Sequence, residues 1–161
     1  MGFAWRPWMK SNAEVLRVID AFLARRPEPA EALKFVIDTL HRERPHYHWV
    51  GVYRLEPDGT YLRLHEYYVG RPTPHTRIPV TEGICGAAVR EGRTIVVPDV
   101  SQDPRYLACS LETRSEIVVP IRREGRIVGE IDIDSDDLDA FRGEDRLLLE
   151  AVAERLAPFI P

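Results

Sequence analysis

Two periodicities divide this chain. From Ser11 to about Arg42 apolar residues recur at helical spacing. Val15, Leu16, Ile19, Phe22 and Leu23 share one face, behind a Ser11-x-x-Glu14 capping box. Arg25-Arg26-Pro27 ends that segment. A second helix is predicted from about Pro29 to about Arg42, with Leu33, Val36, Ile37 and Leu40 as its stripe. Beyond Pro45 the pattern turns β-like. Residues 48–55 read HWVGVYRL, Pro57-Asp58-Gly59 is a turn signal, and residues 61–69 read as the returning strand. Gly70 to Pro74 is a loop. Gly83 to Glu91 is predicted as a short helix with Gly92 as its C-cap, and Thr94 to Pro98 as a short buried strand. Asp99 to Thr113 is too polar for a strand and is expected to be a long loop, with a helical turn near Tyr106 to Ser110. A hairpin turning at Glu124-Gly125 follows. Glu144 to Phe159 reads as a last amphipathic helix, with Leu147, Leu148, Val152, Leu156 and Phe159 apolar. Paired strands with helices at both ends of the chain predict an α+β fold built on a central antiparallel sheet.

The second hairpin carries the candidate chemistry. Glu130, Asp132 and Asp134 alternate with Ile131 and Ile133, so the acids share one face of their strand. A two- or four-residue turn would set Glu116 opposite Ile133 and mix the faces. A three-residue loop over residues 123–125, with Gly125 left-handed, sets Glu116 opposite Asp132 and Val118 opposite Glu130. All the acids then share one face, and Ile117, Val119, Ile121, Ile127, Ile131 and Ile133 share the other, so this register is expected. Such a face is either wet, as antiparallel sheets allow, or a site in which crowded acids raise one another's pKa. Trp49 and Tyr53 share a face across Gly51, as a core pair or as an aromatic wall.

Composition narrows the partners. The chain has 161 residues and a formal net charge of −4, which argues against a nucleic-acid footprint. No segment approaches a membrane span, and the N-terminus lacks a signal-peptide core, so a cytoplasmic protein with reduced thiols is expected. Cys85 and Cys109 are the two cysteines. Cys85 sits at a predicted helix start, where the helix dipole would favour a thiolate, and Cys109 sits in the long loop. Each could be a nucleophile or a small buried hydrophobe. Zinc is not expected, because no paired-ligand motif is present. The five histidines are scattered and mostly read as surface or loop residues.

The strings HTRIPVTEGICGAAV, VVPDV, LACS, SEIVVPI and GEIDIDS, in this order and spacing, resemble the free methionine-(R)-sulfoxide reductases, small stand-alone GAF domains. The likeness runs from about Trp49 to Leu156. It implies a single GAF domain over residues 1–161, with N-terminal helices in 1–44, sheet and pocket in 46–135 and a C-terminal helix in 144–159. It also implies a six-stranded sheet with helices on one face and a ligand pocket on the other. By position, Cys109 matches the attacking cysteine and Cys85 a second family cysteine. Glu116, Asp132 and Asp134 match pocket acids, and Trp49 and Tyr53 match aromatic residues around the substrate methyl group. The implied activity is reduction of free methionine sulfoxide with no cofactor. Sulfenic acid forms on Cys109 and is recycled by a thioredoxin-type reductant. A homodimer is expected, with Trp5 and Trp8 as candidate interface residues. The family's usual further cysteine, just before the TRIP-like string, is here His75. A non-catalytic GAF ligand-binding or sensor module is the alternative.

Overall fold

The computed structural model describes residues 4–108 and 110–161. Helix α1 spans Asn12–Leu23, and its start has the expected capping box. Ser11 Oγ accepts from Glu14 N, while Glu14 Oε1 accepts from Ser11 N. Helix α2 spans Pro29–Glu43, opening on the proline. Strands β1 (Trp49–Leu55), β2 (Tyr61–Leu64), β3 (Arg77–Pro79), β4 (Ile95–Val97), β5 (Ser115–Arg123) and β6 (Arg126–Ser135) form one antiparallel sheet in the order β3-β2-β1-β6-β5-β4. Helix α3 spans Gly83–Glu91 and ends on Gly92 at φ 64°, the left-handed cap a glycine supplies. Helix α4 spans Gly143–Leu156 and continues as a 3-10 turn, Ala157–Phe159.

Alternation along the strands divides the interior into two apolar layers. Val50, Val52, Ile117, Val119, Ile121, Ile131 and Ile133 face α1, α2 and α4 and meet Ile19, Leu33, Val36, Ile37, Leu40, Leu148, Val152 and Leu156. Each such side chain contributes roughly 1.5–3 kcal/mol on burial. On the opposite face a smaller cluster includes Trp49, Tyr53, Leu62, Ile78, Ile84, Cys85 and Val118. The main core thus holds the sheet from behind and leaves its front to the short α3 and to loops.

The faces of the β5–β6 hairpin are as expected, but the register arises differently. Glu116 pairs with Asp134 and Val118 with Asp132, whereas Arg122 pairs with Ile127 and Arg123 with Arg126. The turn has two residues, Glu124 and Gly125, at φ 54° and 77°, the positive angles a tight hairpin needs. A regular ladder from that turn would put Glu116 opposite Ile133. A bulge at Val128 shifts the pairing by one residue and returns every acid to the front face. Hence Val128, not Ile127, packs against the helix-side core.

Other segments also depart from expectation. Strand β2 stops at Leu64; the chain loops out and returns at Val69 to bridge Val50. Strand β3 was not anticipated, since three residues carry no period. The long loop forms its 3-10 turn at Val100–Gln102, where Asp99 accepts from Ser101 N, rather than near Tyr106. Leu147 is exposed, while Leu149 and Ala153 are buried. His46 is buried as well: its Nε2 lies 2.7 Å from Asp145 Oδ1, which also accepts from Tyr47 Oη, while Asp145 Oδ2 accepts from Arg142 N. This network ties the start of α4 to the start of β1.

Burial alone would raise the Asp145 pKa, but His46, Arg142 N and Tyr47 more than offset it and hold the carboxyl below its ordinary value of 3.8. A lowered carboxylate pKa adds stability above the unfolded-state pKa and loses it as pH falls through the folded one. Asp145→Asn is therefore expected to cost about 3 kcal/mol in denaturant unfolding at pH 7. The difference from wild type should shrink once the pH falls below 3.8; a difference independent of pH would exclude the charge as its source.

Candidate active site

Three rows of side chains cross the front of the sheet. Trp49, Asp134 and Glu116 lie side by side on β1, β6 and β5; Gly51, Asp132 and Val118 form the next row; Tyr53, Glu130 and Pro120 the third. The missing side chain at Gly51 makes room for the Trp49 indole: a Cβ there would lie 2.4 Å from the ring. Trp49 Nε1 donates to Arg71 O, which fixes the ring's tilt. Tyr53 Oη donates to His75 O at 2.8 Å. Burial, then the nearby Cys85, Asp132, Glu130 and Asp134, raise the Tyr53 pKa far above its usual range, so the phenol keeps its proton.

The acids are not in water. Glu116, Asp132 and Asp134 are 5 %, 6 % and 3 % exposed, and Glu130 is 0 %. Neither Glu130 oxygen has a hydrogen-bond partner among the described residues, and Asp132 Oδ1 has none. Burial pushes the Glu130 pKa well above the carboxylate range; the Cys85 thiol faces it and relieves this only partly, without the geometry of a hydrogen bond. Burial likewise raises Asp132, against the opposing pull of Glu116 and Cys85. Unpaired ionised carboxylates cannot be kept in such a setting, so protons are stored in the wall.

Helix α3 closes the front. It begins at Gly83, whose φ of 70° a side chain would strain, and carries Cys85 in its first turn. Of the two readings open for Cys85, the small buried residue is the one found, and the thiolate that the helix dipole alone would favour does not form. Cys85 is buried, and burial first, then Asp132, Glu130 and Glu116, raise its pKa well above the usual thiol value. It is a neutral thiol.

One pocket therefore gathers Trp49, Tyr53, Cys85, Glu116, Asp132 and Asp134. Cys109, the expected nucleophile, lies outside the described residues. The chain just before it reaches the pocket, since Leu107 is part of the lining and Ala108 O lies 2.9 Å from His75 Nε2. A carbonyl only accepts, so this nitrogen carries the hydrogen. His75, Thr73 and Tyr106, which the sequence reading did not assign to the site, line the same space. Glu130 was read as one of the acidic set but not as part of the site; its place against Cys85 was foreshadowed by the alternation alone. The free volume at the centre is about 20 Å³, room for a water or an ion. Among the described residues no helix is long and apolar enough to cross a membrane.

The GAF domain family matches residues 28–159. A solved type II free methionine-R-sulfoxide reductase from Thermoplasma acidophilum is 38% identical, with a TM-score of 0.78 over 88% of this chain and 94% of that one. The Neisseria meningitidis free methionine-R-sulfoxide reductase, solved in complex with its substrate, is 35% identical, with a TM-score of 0.86 over 92% of this chain and 87% of that one. In sequence, the Escherichia coli free methionine-R-sulfoxide reductase is 29% identical over 144 residues, 89% of this chain and 85% of that protein. With the six-stranded antiparallel sheet and its helices, these likenesses give the fold: the chain belongs to the GAF domain family, with free methionine-R-sulfoxide reductases among its homologues and structural neighbours.

Proposed function

We propose that this protein reduces free methionine-(R)-sulfoxide to methionine. The observation that carries the reading is the wall of buried acids, Glu116, Asp132 and Asp134, set against the Trp49–Tyr53 pair at the foot of the loop bearing Cys109. The substrate ammonium pairs with the acids and supplies the positive charge their ionised forms lack. The substrate carboxylate meets the start of α3, whose N-cap Glu82 makes no side-chain cap and leaves backbone N–H groups for an anion. The methyl end lies against Trp49 and Tyr53.

The Cys109 sulfur attacks the sulfoxide sulfur while a carboxyl of the wall, kept protonated by burial, donates to the oxygen. The protonated oxygen leaves as water as the S–O bond breaks, so the Cys109 sulfur is bonded to the substrate sulfur; a water then attacks the Cys109 sulfur, that S–S bond breaks, and Cys109 becomes a sulfenic acid. Methionine leaves reduced by two electrons, and the cysteine is oxidised by two. A second thiol then condenses with the sulfenic acid, releasing water, and a dithiol reductant of the thioredoxin type returns the cysteine to the thiol. Where the family usually has a further cysteine, His75 stands, so within the chain resolution falls to Cys85. Its burial and its proton make it a slow nucleophile; a small external thiol completes the cycle faster.

With dithiothreitol as reductant, purified protein should turn over the R epimer of free methionine sulfoxide and leave the S epimer, and Cys109→Ser should fall to background. Turnover that survives in the variant, or none in wild type, would reject the reading. Gly51→Ala should displace the Trp49 ring and raise KM about tenfold, or ~1.4 kcal/mol, with little change in kcat; an unchanged KM would remove Trp49 from the substrate contact. Cys85→Ser should keep most of its dithiothreitol-driven rate. A collapse seen only with thioredoxin would assign resolution to Cys85 despite its burial.

A further inference from the structure

Among the described residues one group has the makings of a metal centre. A donor atom from each of Cys85, Glu116 and Asp132 lies within 4.8 Å of the other two. They come from α3, β5 and β6, which pack directly on one another. Tetrahedral coordination by one sulfur and two oxygens needs donor separations of roughly 3.5 Å, reachable by small rotations of three side chains on fixed backbones. Acids and a thiol close together do not make a site by themselves. The second observation is the unsatisfied polar surface aimed at them. Asp132 Oδ1 is buried without a partner, and Glu130, 0 % exposed, turns a carboxyl with two unpartnered oxygens onto the Cys85 thiol. A buried acid left in this state costs free energy that a bound cation would recover.

We propose that Cys85, Glu116 and Asp132 bind a thiophilic divalent cation of the zinc and cadmium class. The donor set decides the class: one sulfur and two carboxylates offer too few oxygens for calcium and the wrong partner for magnesium. Binding replaces the thiol proton, which leaves to solvent as the metal–sulfur bond forms. The three ligands then carry −3 against +2, and Glu130, behind the sulfur, keeps its proton and becomes the hydrogen-bond donor that orients it. Size agrees, because the free volume of about 20 Å³ has room for an ion. All three ligands line the pocket, so the path of entry is the substrate's own. Cation and amino acid would exclude one another if the proposed function holds, but the binding does not depend on that function.

The decisive experiment is cadmium titration of the reduced Cys109→Ser protein, in which Cys85 is the one remaining thiol. A thiolate-to-cadmium charge-transfer band in the ultraviolet, saturating at one equivalent, is the expected result. Glu130→Leu in the same background, which removes the donor behind the sulfur, should weaken binding about tenfold or more, and Glu116→Gln, which removes a ligand charge, at least as much. Absence of the band from folded Cys109→Ser protein would overturn the proposal. So would a band that both acid substitutions leave unchanged, since that would be cadmium on a bare thiol.

Discussion

The constraint on which this structure turns is the cost of keeping ionisable groups dry. An isolated buried carboxylate costs several kcal/mol, and β6 carries three at alternate positions with a fourth beside them on β5, all under a tenth exposed. The chain meets this cost by neutralisation. Burial pushes Glu130 and Asp132 toward the protonated form, and Cys85 and Tyr53 keep their protons because of burial first and the nearby acids second. The α3 N-terminus acts in the opposite sense on Cys85, but a helix dipole contributes about 0.3–1 kcal/mol, up to ~2 when partly buried. Burial and three carboxylates together exceed it.

Such a wall needs a frame that does not depend on it. The helix-side layer supplies that frame with a nearly all-aliphatic interface between the back of the sheet and three helices. A polar cluster at its margin, His46–Tyr47–Asp145, is joined by hydrogen bonds that engage both Asp145 carboxylate oxygens. Polar groups on the back lock elements together; on the front both Glu130 oxygens and Asp132 Oδ1 have no hydrogen-bond partner among the described residues. The Val128 bulge is the link between the two layers. Without it β6 would present its acids to the aliphatic side of the sheet and its isoleucines to the pocket.

This division explains how far the sequence could be read. The helices, β1 and the two faces of the second hairpin were legible because each rests on a period and on local signals such as Ser11–Glu14, Pro29 and Gly92. The coherence of the faces was legible before its cause. A three-residue loop and a two-residue turn with a bulge give the same alternation, and the sequence around Arg122 to Val128 does not separate them. Strand β3 is too short to carry a period. The burial of His46 depends on Asp145, distant in sequence. For Cys85 the sequence shows only the local helix dipole, while the burial and the carboxylates that keep its thiol neutral arrive through the fold.

If the proposed function holds, the same physics would make a free amino acid suit this pocket better than a peptide. The wall holds more acid than it can ionise, and on that reading a substrate ammonium would supply the missing charge at the acids while the sulfoxide oxygen would take a proton from them. A peptide amide brings no positive charge; it would bury uncharged N–H and C=O groups against carboxyls that stay protonated and would gain none of the ion pairing. Selectivity would then follow from the state of the empty wall rather than from steric exclusion. A small divalent ion satisfies the same demand at Cys85, Glu116 and Asp132. A wall short of positive charge accepts it from whichever source fits, and the chemistry that follows depends on whether that source carries an oxidised sulfur.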